Sequence, residues 1–139
     1  MKTKTIVAIA MLLFCFVNAD AQNGGKAEPN RIKFAKGKSA ATASGTVKGD
    51  EQAEYVFSAR EGQIIRVKIA SVPKGKVATF VILSPTEEGK FFTKFFENYN
   101  YTFPAPQTGD YVIRVFLQPA TKVKSARYNL TLGITTPKN

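Results

Sequence analysis

The 139-residue chain is predicted to be all-β: a single antiparallel β-sandwich or jelly-roll-like domain of about eight to nine strands. Two observations carry this. Apolar side chains recur at every second position along several short stretches, whereas no stretch holds the 3.6-residue period of a helix. Between those stretches stand Gly, Pro, Asn and Asp, the residues that end strands and make turns.

The elements follow in order. Residues 1–21 have a basic start (Lys2, Lys4), an apolar run too short to span a bilayer, and Ala19 and Ala21 before an expected cut ahead of Gln22. They read as a secretory signal peptide. Residues 22–30, with two glycines and a proline, read as a flexible leader, and 31–136 as the sandwich domain. Ile32 and Phe34 predict a brief first strand, and residues 41–48 a second that stops at Gly49-Asp50. Tyr55, Phe57 and Ala59 alternate in a third. After Glu61-Gly62 comes a fourth, with Ile65, Val67 and Ile69 on one face and Arg66 and Lys68 on the other.

Pro73-Lys74-Gly75 breaks the chain before residues 77–83, a continuous apolar run that suits a central strand buried on both faces. Residues 91–96 predict an aromatic strand with Lys94 guarding against aggregation. Residues 99–103 predict a short one. Two clean alternations close the chain, Tyr111/Ile113/Val115/Leu117 and Tyr128/Leu130/Leu132/Ile134. Between them, 118–125 looks like a hairpin loop carrying Lys122 and Lys124. Tyr111, which follows Gly109-Asp110 at the entry to a core strand, is expected to bury its ring and return its hydroxyl to nearby backbone as a tyrosine corner.

Composition narrows the function. The only cysteine, Cys15, lies in the signal peptide, so the secreted domain has no thiol and no disulfide and depends on its core. Lys2, Lys4 and Asp20 leave with the signal peptide, so 18 basic residues face 9 acidic ones, a charge of about +9 on 118 residues. Such a balance suits an acidic partner: nucleic acid, an anionic cell-envelope polymer or a carboxylate-lined cleft. With no histidine and no mature cysteine, the commonest general base, the thiol nucleophile and the usual zinc ligands are absent. No enzyme activity, metal or other cofactor is expected.

Individual motifs agree. Ser71-Val72-Pro73-Lys74 matches the S-x-x-K pattern of serine enzymes, but Pro73 opposes the helix that chemistry needs and no S-D-N or K-T-G follows. Asp50-Glu51 with Glu54 is the one acidic cluster, and it reads as a solvated hairpin end. Aromatics interleaved with lysines in 91–101 could stack nucleic-acid bases, yet they fit core and edge strands better, and secretion argues against a nucleic-acid partner. No mature membrane span is expected.

Phe34-x-Lys36-Gly37-x-Ser39-x-Ala41-x-x-Ser44-Gly45-x-x-Lys48-Gly49, followed by Tyr55-x-Phe57-x-Ala59-x-x-Gly62-Gln63, resembles the N-terminal half of the periplasmic inhibitors of goose-type (g-type) lysozyme. Pro104-Ala105, Thr108-Gly109-Asp110-Tyr111, Arg114-Val115 and Tyr128-Asn129 resemble their C-terminal half. Parts of the same pattern are similar to the pre-peptidase C-terminal domains of secreted enzymes. The first resemblance implies a β-sandwich that occludes the peptidoglycan-binding cleft of goose-type lysozyme, with basic residues between the last two strands taking part. On this chain the implied binding loop is Thr121, Lys122, Val123 and Lys124, with Lys48 and Asp50 as secondary contacts. The second resemblance implies the alternative, a non-catalytic binding module for cell-envelope glycan or protein. The chain departs from the inhibitor pattern twice, with lysines where that family favours arginines and Asp50 where an aromatic is expected. Lysine cannot make the two-pronged carboxylate contact of arginine.

Overall fold

A computed structural model describes residues 30–85, 93 and 98–139. Eight strands are present among them: β1 Asn30–Arg31, β2 Ala40–Lys48, β3 Gln52–Ala59, β4 Ile64–Val72, β5 Ala78–Leu83, β6 Asn100–Pro104, β7 Gly109–Leu117 and β8 Ser125–Thr135. They form two four-stranded sheets, β1-β3-β7-β5 and β2-β8-β4-β6. All pairings are antiparallel except β1 with β3, which is parallel, a departure from the expected purely antiparallel sandwich.

Alternation decides which side chains fill the space between the sheets. In β4, Ile65, Val67 and Ile69 point inward while Arg66 and Lys68 are exposed; β7 contributes Tyr111, Ile113 and Val115, and β8 contributes Tyr128, Leu130 and Leu132. Phe57 of β3 stacks on Tyr111 with centroids 5.4 Å apart, and Phe103 of β6 meets Tyr111 edge-on at 6.2 Å. The expected tyrosine corner is present: the Tyr111 hydroxyl donates to the Gln107 carbonyl at 2.7 Å. Desolvation raises the Tyr111 phenol above its ordinary pKa. The inward face of β2 is Ala41, Ala43, Gly45 and Val47, and at Gly45 a large ring occupies the space beneath. A Cβ on Gly45 would lie 2.5 Å from the Tyr128 hydroxyl, so only glycine lets β2 pass there.

Three expectations change. The first strand lies at Asn30–Arg31 rather than at Ile32 and Phe34; those two are half-buried against the core, and the Ile32 N–H still donates to the Val56 carbonyl. β5 is buried along nearly its whole length, as expected, yet it is an edge strand. Its free edge is bonded by two residues of the following connection, Thr93 and Asn98. Asn98 bonds to Thr79 and Phe80 through both backbone and side chain, and the Thr93 hydroxyl accepts from Ile82 N–H. An edge satisfied in this way offers no template for another strand. Finally, consecutive strands always lie in opposite sheets, so 118–124 is a crossover between the layers and not a hairpin loop. The Asp50-Glu51 turn is likewise a crossover.

The expected aromatic strand at 91–96, apart from Thr93, and the expected signal peptide and leader up to residue 29 lie outside the described residues. Among the described residues no helix is long and apolar enough to cross a membrane.

Candidate functional site

Three of the crossovers gather at one end of the sandwich. The register pairs Lys48 with Ser125, Val72 with Arg127, Ala78 with Leu117 and Gln52 with Phe116, so three turns lie side by side: 49–51, 73–77 and 118–124. The last lies between the other two and is bonded to both. Gly49 N–H donates to the Lys124 carbonyl at 3.0 Å, and Gln118 N–H donates to the Val77 carbonyl at 2.8 Å. Gly49 has φ +53°, a backbone conformation favouring glycine, and the Glu51 N–H closes its turn onto the Lys48 carbonyl.

Within the central crossover the four expected residues play different parts. Thr121 is half-buried and organises the bend: its N–H donates to the Gln118 carbonyl and its hydroxyl accepts from Val123 N–H. Val123 is half-buried against the core, so it anchors the loop rather than offering a free contact. Lys122 and Lys124 are exposed, and neither forms an ion pair with a described carboxylate. A cleft of about 540 Å³ separates the loop from the 49–52 turn, lined by Asp50, Gln52, Phe116, Gln118, Lys122 and Lys124 among others. The structure therefore brings Asp50 and the two lysines to one cleft. Lys48 is exposed at the end of β2, beside that cleft but not in its wall.

Sequence reasoning missed the other flank. Lys76, exposed in the 73–77 turn, holds its ammonium 5.6 Å from the centre of the Tyr99 ring. Lys76 and Tyr99 line a smaller depression of about 240 Å³ with Gln118, Ala120 and Thr121. With exposed Lys74, this end carries five lysines against Asp50 and Glu51. Pro73-Lys74-Gly75-Lys76 was visible as a basic turn, but only the register of β4 on β8 places it beside the 118–124 crossover.

The S-x-x-K serine is structural, since the buried Ser71 hydroxyl accepts from Ala78 N–H at 2.9 Å. No group of three potential metal ligands occurs among the described residues. This end offers cations and two depressions, a surface suited to an acidic protein cleft.

No protein-family model matches the chain, and no curated protein matches it in sequence. Solved structures do. The chain is similar to PliG of Aeromonas hydrophila, a periplasmic lysozyme inhibitor of g-type lysozyme: TM-score 0.67 and 22% identity over 77% of this chain and 96% of that one. It is also similar to PliG of Salmonella Typhimurium, with TM-score 0.59 and 26% identity over 79% of this chain and all of that one. The pre-peptidase C-terminal domain of a Bacillus anthracis collagenase matches with TM-score 0.59 and 19% identity over 79% and 99% of the two chains. Both resemblances read from the residue pattern thus have solved counterparts with this sandwich.

Proposed function

We propose that the protein is a periplasmic, non-enzymatic inhibitor of g-type lysozyme, which blocks the enzyme's peptidoglycan-binding cleft with its basic end. The observation that carries this reading is the likeness to Salmonella PliG, which extends over the whole of that chain at 26% identity. The geometry supports it, because Lys122 and Lys124 stand exposed beside a cleft, without an ion-pair partner among the described carboxylates. An enzyme groove shaped for a sugar polymer and containing an essential carboxylic acid can take such a loop. A charge pair desolvated on docking is worth a few kcal/mol at an interface, much of it as the penalty for removing one partner. The reading includes a cleaved signal peptide ending at Ala21. The alternative of a glycan- or protein-binding module has support at the level of the fold only, from the pre-peptidase domain.

The test is turnover of a cell-wall suspension by g-type lysozyme, with hen-type and invertebrate-type enzymes as controls. Selective inhibition of the g-type enzyme is expected, and no inhibition at micromolar protein would overturn the reading.

A further inference from the structure

Charge divides the two outer faces of the sandwich. The strands of the β1-β3-β7-β5 sheet carry four charged residues, and all four are paired: Arg31 with Asp110 and Arg114 with Glu54. The strands of the β2-β8-β4-β6 sheet contain no Asp or Glu. Their charged residues are Lys48, Arg66, Lys68 and Arg127, all exposed, and none forms an ion pair with a described residue. Lys48 belongs to the end described above. Arg66, Lys68 and Arg127 lie on the sheet face itself.

We propose that the outer face of this second sheet binds a carboxylate-bearing polysaccharide, through residues outside the three turns of the lysozyme-directed end. The register shows why the face suits such a polymer. One row across the sheet reads Thr42, Thr131, Lys68, Asn100, and the next reads Ala40, Gly133, Arg66, Thr102. Arg66 and Lys68 are thus ~7 Å apart along one strand, set among hydroxyls, amides and residues small enough to keep the face flat. Ser44 donates to the Asn129 side-chain carbonyl at 2.6 Å in a parallel row.

Toward the end of the sheet, Arg127 shares a depression of about 410 Å³ with Ser44, Thr46, Asn129 and Val72. That depression offers a cation, hydroxyls, an amide and one apolar patch, the mixture that a sugar ring carrying a carboxylate requires.

Other anionic partners fit less well. A membrane surface calls for protruding apolar side chains, and Val72, 47% exposed, is the one exposed large hydrophobic among the described residues. Single-stranded nucleic acid calls for stacking aromatics, whereas Tyr128 is buried inward and Tyr101 packs against the core.

The experiment measures binding of alginate, a polyuronate, by calorimetry, with neutral dextran, phosphatidylglycerol vesicles and single-stranded DNA as comparisons. The intact mature protein is expected to bind alginate and not dextran. Arg66→Glu with Lys68→Glu should weaken alginate binding at least tenfold, as should Arg127→Gln, with unchanged thermal midpoints. The first of these variants should inhibit lysozyme like the wild type. Lys122→Ala with Lys124→Ala should leave alginate binding intact. The proposal is overturned by absence of alginate binding, by binding indifferent to the Arg66, Lys68 and Arg127 changes, or by vesicles or DNA binding as tightly as alginate.

Discussion

The hydroxyls of Tyr55 and Tyr128 meet 2.6 Å apart in the buried space between the two sheets, one ring set edge-on to the other at 6.4 Å. Tyr55 comes from β3 and Tyr128 from β8, so the bond joins layers that otherwise meet largely through apolar packing. Burial, and then the bond to Tyr55, push the Tyr128 phenol well above its ordinary pKa.

This pair predicts a non-additive mutant cycle. Tyr55→Phe or Tyr128→Phe alone leaves the other hydroxyl buried without this partner, at a cost of ~1–3 kcal/mol. The double Phe variant removes both polar groups and should cost less than the sum of the two single changes. Urea unfolding of the four proteins measures the coupling. Because the folded phenol titrates higher than the unfolded one, its contribution is complete below pH ~10 and is lost as pH rises beyond that.

Tyr111→Phe removes the donor to the Gln107 carbonyl while leaving the ring stack on Phe57 intact. A loss of ~1–2 kcal/mol is expected, read as a fall of several degrees in thermal midpoint. Inhibition at temperatures where the domain stays folded should be unchanged, since Tyr111 lies at the opposite end from the 118–124 crossover.

Arg31, Ser58 and Asp110 fasten β1 across β3 to β7. The Arg31 guanidinium donates to the Asp110 carboxylate at 2.5 and 3.1 Å and to Ser58 at 3.0 Å, and the Ser58 hydroxyl donates to Asp110 as well. The bonds from Arg31 and then Ser58 hold the Asp110 pKa down at about 2. A depressed carboxylate stabilises the fold above its unfolded value near 4 and loses that contribution as pH falls toward 2. The cluster is half exposed, so solvent screening keeps the effect small. Thermal midpoints of wild type and Asp110→Asn should differ at pH 6, and the difference should shrink as pH falls through about 2.

At the basic end, Lys122→Ala with Lys124→Ala should lower g-type lysozyme inhibition at least tenfold. Stability should change by less than ~0.5 kcal/mol, because both side chains are exposed. If stability falls and inhibition persists, the loop is a structural connector. Asp50 sets a negative charge in the same cleft. Asp50→Asn should therefore tighten inhibition by roughly twofold to threefold against a carboxylate-lined groove.

Much of this fold was legible in the residues because alternation reports burial directly: the inward sets of β4, β7 and β8 follow from period two alone, and Tyr111 from its place after Gly109-Asp110. Sheet membership was not legible. Glycine and charged residues make a hairpin turn and an inter-sheet crossover equally well, so Gly49-Asp50 and 118–124 looked like hairpin ends. The apolar run of β5 reported burial truthfully but not its place in the sheet, since Asn98 and Thr93 bond to its edge where a neighbouring strand was expected. For the candidate site, Lys122 and Lys124 were readable as an unexplained basic pair. Lys76 and Tyr99 became neighbours only through β4–β8 register and the connection after β5.

The 118–124 crossover leaves the last core residue of one sheet and enters the first strand position of the other. A partner that grips this span therefore acts as a clamp on both layers, since the sheets cannot slide or part without pulling the gripped segment in two directions. Association at that tip would be felt mechanically throughout the sandwich, and resistance to unfolding would rise with occupancy although no core contact had changed.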